Sequence, residues 1–189
     1  DYFQHPVREK KILLTFDDGY RDIIDNGLSI LESYDCHASI FIVTNSLNNN
    51  WLPWWDMCHF SNLRKYSTLK YDEVIKNERC ETTLQSEILS KKDLSQLSDH
   101  PLLSFSSHGL DHSNHARLSN KELITQLSKS KQMLNTHLGI QTNSYAIPYG
   151  GRSDFLKNDR KIYMHYYNRI YTTIPGLSAN SDKFIRRIQ

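Results

Sequence analysis

The chain has 189 residues, 38% of them hydrophobic, with 23 lysines and arginines against 21 aspartates and glutamates and a formal net charge of +2. That length supports one sizeable core rather than two, so a single domain over residues 1–189 is expected. The charges lie in small mixed clusters, which argues against nucleic acid or another polyanion as a partner, and the longest apolar runs, KILLTF and ASIFIV, fall far short of the roughly 20 residues of a membrane span.

In chain order, Lys11 to Phe16 reads as a buried strand and Asp22 to Tyr34 as an amphipathic helix, with Ile23, Ile24, Leu28 and Leu31 at helical spacing. A second strand is expected at Ala38 to Val43. The stretch from Asn45 to about Pro101 is polar and irregular and reads as an insertion between core strands, with helices near Lys70 to Asn77 and Glu81 to Leu89. Beyond it come a strand at Leu102 to Ser107, a long helix at Asn120 to Leu138 ending at Gly139, a strand at Ser144 to Ile147, a helix at Asp154 to Tyr166 and a strand at Arg169 to Ile174. Alternating strands and helices imply a parallel sheet with crossover helices, either doubly wound or barrel-like. Cys36, Cys58 and Cys80 are odd in number and lack CxxC spacing, so they form neither a fully paired disulfide scaffold nor a short-spaced zinc site. With no signal peptide at the start, the cysteines favour the cytoplasm; a leader trimmed ahead of Asp1 is the alternative.

Three polar clusters fall at strand ends. Asp17 and Asp18 follow the first strand, His108 and His112 follow LLSFSS, and Pro148, Tyr149 and Gly150 follow SYAI. Carboxyl ends of parallel strands share one face, where α/β enzymes build their sites. Two imidazoles four residues apart can face one cation if the segment turns helically, and a carboxylate from another strand completes a three-donor shell with an open position. Of the two adjacent carboxylates, one can bind the ion while the other takes a proton. The competing reading makes Asp17-Asp18-Gly19 a helix cap with a turn glycine and the histidines a solvent-facing pair.

TFDDG at Thr15 to Gly19, SHGLDHSNHARLS at Ser107 to Ser119 and IPYG at Ile147 to Gly150 resemble, in order and approximate spacing, the first three motifs of the polysaccharide deacetylases, carbohydrate esterase family four. The resemblance implies a distorted (β/α) barrel with fewer than eight strands. It implies Asp17 as general base, and Asp18, His108 and His112 as ligands of one divalent metal ion, usually zinc. It further implies hydrolysis of N-acetyl groups on a sugar of a polysaccharide or glycan precursor, with release of acetate and help from a backbone N–H near Tyr149.

Two features depart from that family. Ala146 stands where the third motif usually has an arginine, and no fifth-motif histidine is evident. Arg187, Arg186 or Arg152 is expected to supply the missing charge, as in a branch whose terminal strand resembles FIRRIQ. The acid that protonates the leaving amine is His165, a group beyond Gln189, or Asp17 acting twice. His115 permits a three-histidine site with His108 and His112, against a packing or surface role. Trp51, Trp54 and Trp55 lie in the insertion, where Trp54 and Trp55 are expected to stack on sugar rings, or else to pack the loop. The functional alternatives are a catalytically weak glycan-binding relative and an amidase acting on a small non-sugar amide.

Overall fold

The computed structural model describes residues 12–48, 51, 53–57, 71–77 and 87–188. Six strands form one parallel sheet whose spatial order follows chain order: β1 (Leu14–Phe16), β2 (Ala38–Ile42), β3 (Leu103–Ser107), β4 (Ser144–Ala146), β5 (Arg169–Tyr171) and β6 (Phe184–Ile185). Neighbouring parallel strands need crossovers, and same-handed crossovers laid side by side curl the sheet into a half-barrel. The expectation of fewer than eight barrel strands is met.

Strand alternation sorts the core into two sides. Ile40, Ile42, Leu103 and Phe105 are buried on the helix side, while Phe41 joins Ala146, Tyr171 and Ile185 in a separate cluster. The helices are α1 (Leu28–Ser33), α2 (Trp54–Met57), α3 (Tyr71–Asn77), α4 (Lys91–Leu97), α5 (Asn120–Leu138), α6 (Arg152–Phe155) and α7 (Arg160–Tyr166). Helix α5 joins the two halves of the sheet: Leu134 packs with β2 and β3 residues, whereas Leu123 and Leu127 pack with Tyr145 and Ile170. Its bounds match the sequence expectation because both ends are written in the chain. Ser119 caps the first turn in a reciprocal box with Glu122, and Gly139 at φ +68° ends the last.

Elsewhere the elements differ from expectation. The helix expected at Asp154 to Tyr166 is two helices, because Asp159 leaves helical geometry and its side chain caps α7 at the Lys161 N–H. The helix expected from Asp22 opens as a wider π-helical turn, Ile23–Gly27, before α1. Of the helix expected at Glu81 to Leu89, residues 81–86 lie outside the described residues, and Ile88 is not helical: it bridges antiparallel to Tyr20. Helix α4 follows a Ser90–Asp93 capping box that the sequence reading passed over.

His115 settles into the packing role. Its ring is fully buried, with Nδ1 2.8 Å from the Tyr163 hydroxyl and Nε2 3.0 Å from the Tyr145 hydroxyl. Burial, with the nearby charge of His108, pushes its pKa down to about 3, so the folded ring is neutral. A depressed folded pKa means that the unfolded chain binds the extra proton first; the associated stability is present above pH 6.5 and is lost as pH falls toward about 3. Between pH 7 and pH 5 this loss is on the order of 2 kcal/mol. In urea unfolding, wild type is therefore expected to lose more stability over that interval than His115→Gln, which keeps polar contacts but does not titrate. Parallel losses in the two proteins would show that His115 is not the titrating group.

Candidate active site

The first strand ends in an inverted turn. The Gly19 N–H donates to the Asp17 carbonyl at 2.9 Å, with Asp18 between them at φ +70°. Gly19 itself sits at φ +81°, which any side chain would strain, and its Cβ would fall 2.8 Å from Cδ1 of Ile42. The same device recurs at Pro148-Tyr149-Gly150, where the Gly150 N–H reaches the Pro148 carbonyl at 2.7 Å and Tyr149 sits at φ +61°. His112 is also left-handed, at φ +59°. Such conformations cost about 1–3 kcal/mol each and concentrate where side-chain placement is functional. The segment from His108 to His112 is a loop rather than the helical turn that its spacing would also allow, since Gly109 and His112 both take positive φ.

These turns bring three donor atoms together. Asp18 Oδ1 lies 3.5 Å from His108 Nε2 and 3.4 Å from His112 Nε2. His108 is buried, and its Nδ1 is 2.9 Å from the Ala146 carbonyl, an oxygen that can only accept. Nδ1 therefore donates its proton to that carbonyl, and Nε2 is the nitrogen turned toward Asp18. Burial is the largest influence holding the His112 pKa well below the usual imidazole range, so that ring is neutral. Asp18 Oδ1 and His112 Nδ1 are buried without a hydrogen-bond partner among the described residues. A buried carboxylate oxygen without a donor, facing two imidazole nitrogens, is an arrangement that a cation relieves. Asp18, His108 and His112 offer ligand atoms all within 4.8 Å of one another, one carboxylate and two imidazoles, which is the donor set of a divalent transition ion. Asp18 itself is pushed up by burial and by the nearby carboxylates of Asp17 and Asp56, against His108.

Asp17 has a different environment. Arg187 grips it with both fork nitrogens, Nη1 to Oδ1 at 2.6 Å and Nη2 to Oδ2 at 2.7 Å, and Arg187 Nε donates to the Thr172 carbonyl at 3.0 Å. Burial alone would raise the Asp17 pKa, but His108 and the Arg187 fork outweigh it and hold the carboxyl below its ordinary range. Of the three arginines considered for the missing charge, Arg187 is the one that reaches Asp17. Its Oδ2 stands 3.9 Å from His108 Nε2, beside the donor cluster without joining it.

Aromatic rings wall the His112 side. Trp55 and Tyr149 lie with ring centroids 4.6 Å and 4.8 Å from the His112 ring, and the Trp55 indole N–H donates to the Tyr20 hydroxyl. Trp54 is 5% exposed, its ring edge-on to Trp55 at 5.5 Å between centroids, a placement that packs the wall and leaves it no open face for a sugar. Trp55 keeps partial exposure. Pro148 and Gly150 are buried as the frame of the Tyr149 turn. His165 is exposed on α7 against Tyr166, and the mouth residues do not include it.

Sequence reasoning passed over the brace behind the histidine loop. Gln126, buried on α5, accepts from the Leu110 N–H at 2.8 Å and donates to Asp111 Oδ1 at 2.8 Å. A glutamine in the apolar stripe of α5 was the available signal. Tyr20 was also passed over, and nothing in its spacing marks it.

The family model described as polysaccharide deacetylase matches residues 4–166. Among curated proteins no relative is detected by sequence. Similar solved structures include the deacetylase PplD of Streptococcus pyogenes in complex with acetate (TM-score 0.69, 21% identity, covering 97% of this chain and 65% of that one). IcaB from Ammonifex degensii is comparable (TM-score 0.68, 16% identity, 96% and 68%), as is a polysaccharide deacetylase from Bacillus cereus (TM-score 0.61, 18% identity, 94% and 46%). At these identities the structures share the fold, and the chain spans from under half to about two thirds of their lengths. With the family model covering most of its residues, the chain belongs to the polysaccharide deacetylase family.

Proposed function

We propose that the protein is a metal-dependent hydrolase that removes N-acetyl groups from sugars of a polysaccharide or glycan precursor and releases acetate. The observation that carries this reading is the pairing of two unlike carboxylates: Asp18 aimed at two imidazole nitrogens, and Asp17 held apart by Arg187. Membership in the deacetylase family and the acetate complex of a structural neighbour support it.

Asp18, His108 and His112 would hold the ion, and one oxygen with two nitrogen donors suits zinc. When bound, a divalent ion there supplies Lewis acidity, which polarises the acyl oxygen and acidifies water. The chain's own residues supply the remaining chemistry. Asp17 is charged at neutral pH and positioned beside the cluster, so it accepts the proton of the attacking water. Arg187 fixes both Asp17 oxygens and prevents the carboxylate from swinging into the ligand set. The Tyr149 N–H, presented by its inverted turn next to His112, is the donor for the oxygen that becomes negative as water adds. The departing nitrogen leaves only when protonated; with His165 exposed on α7, Asp17 is the described residue placed to return the proton it took, and a group beyond Gln189 is the alternative. A carboxyl held below its usual range gives up a proton readily.

Two predictions follow from this division of roles. Zinc uptake at one ion per chain should be lost in His108→Ala and weakened in Asp18→Asn, while Asp17→Asn should keep the metal and lose acetate release from N-acetylated glycan oligomers by roughly 10²-fold or more. Equal metal loss in Asp17→Asn and Asp18→Asn would overturn the assignment, and acetate release from a small non-sugar amide alone would make the protein an amidase. Arg187→Met should move the acidic limb of the pH–rate profile upward, because burial then raises Asp17 without the guanidinium to oppose it. Activity at pH 5 should fall roughly tenfold further than activity at pH 8. An unmoved limb would mean that Arg187 does not set the state of Asp17.

A further inference from the structure

Folding gathers charges that the sequence scatters. A groove of about 590 Å³ leads from Tyr149 past Arg117, Arg152 and Lys157. It shares Arg152 and Leu156 with a second groove of about 510 Å³, which is lined by Arg160, Lys183 and Arg186. All six cations are exposed, and among the described residues none is in an ion pair. Arg21, by contrast, is ringed by Asp25, Glu87 and Asp93. Two carboxylates line the grooves, and both are engaged. Asp154 accepts from the Gly151 N–H and the Asn114 amide at 2.9 Å each, and Asp182 accepts from the Ala179 N–H at 2.9 Å. The floor is partly apolar: Arg160 lies over the Phe184 ring at 4.8 Å, beside Leu156 and Met164.

With net charge +2 overall, six cations against two engaged carboxylates is a local excess that begins at the catalytic mouth. A cleft lined by one sign of charge raises the local concentration of the opposite sign. We propose that this double groove binds the continuation of a negatively charged glycan, whose N-acetyl sugar sits at Asp17 while neighbouring sugars carry carboxylate or phosphate groups. The inference rests on the deacetylase reading for the identity of the sugar at the mouth. It reverses the expectation from composition that a polyanion is not a ligand, because the sequence average hides where the cations go.

Binding is tested without turnover, by titration calorimetry on the Asp17→Asn protein. The probes are a hyaluronan tetrasaccharide, in which N-acetylated sugars alternate with uronates, and the neutral chitin tetrasaccharide. Hyaluronan is expected to bind about tenfold tighter or more at low salt, and the preference should collapse at about 0.5 M NaCl, where screening is within a few ångströms. The combined variant Arg117→Ser, Arg152→Ser and Lys157→Ser, checked for an unchanged melting temperature, should lose the same preference. Equal affinity for the two oligomers at low salt, or a preference that survives in the variant, overturns the proposal. A single-stranded oligonucleotide that binds more tightly than hyaluronan and displaces it would overturn the glycan as ligand. Failure of the deacetylase reading shows separately, as absence of acetate from either oligomer with the wild-type enzyme.

Discussion

The bidentate pair between Arg187 and Asp17 ties the last strand of the sheet to the first. β1 and β6 are the two ends of the strand order, so no ladder of backbone hydrogen bonds between them is part of the sheet. Arg187 spans that opening, with Nη1 also 3.5 Å from the Thr15 hydroxyl and its guanidinium 5.9 Å from the Phe41 ring. A charge-assisted fork of this kind contributes about 1.5–3 kcal/mol, and leaving either partner buried and alone costs about 3–5 kcal/mol. The contact that closes the half-barrel also fixes the orientation and charge of the proposed base. A sheet that fails to bring β6 around therefore leaves Asp17 without its cationic partner.

A second constraint is local. Asp18, His112 and Tyr149 all adopt left-handed backbone conformations, and with Asp35 they are the positive-φ residues other than glycine among those described. Each is unfavourable, and each turns a side chain or an N–H toward the same mouth. The offset comes from surroundings that allow little else: Gly19 and Gly150 pressed against Ile42 and Thr173, the Gln126 brace behind Leu110 and Asp111, and the Trp55 and Tyr149 rings against His112. The site is preorganised by strain that the core around it stabilises.

The alternation of strands and helices was legible because apolar periodicity and capping residues are local properties, as in Ser119, Glu122 and Gly139 around α5. The mouth was legible because strand ends of a parallel sheet converge whatever their separation in sequence. What stayed hidden concerns neighbours. Asp17 and Asp18, Trp54 and Trp55, Arg186 and Arg187 are adjacent pairs, and adjacent side chains in extended or turning chain face different surroundings. Only tertiary contacts show that Arg187 faces Asp17, and that Trp54 is buried while Trp55 borders His112. The spacing of His108 and His112 is satisfied by a loop as well as by a helix, and the φ of His112 decides between them. Asp159 broke an expected helix because a single capping side chain outweighs favourable periodicity on both sides.

The long excursion between β2 and β3 leaves and returns through backbone hydrogen bonds to the loops that carry the chemistry. Thr44 and Asn45 donate to the carbonyls of Gly109 and Leu110, in the histidine loop. At the return, Leu89 donates to the Gly19 carbonyl and Arg21 to that of Glu87, beside the aspartate turn. With both ends stitched to the sheet mouth, the chain between the stitches can change length at little cost, because each doubling of a closed loop adds only about 0.6 kcal/mol. The two stitches thus hold the aspartate turn and the histidine loop in register with each other whatever the length of the connection between them.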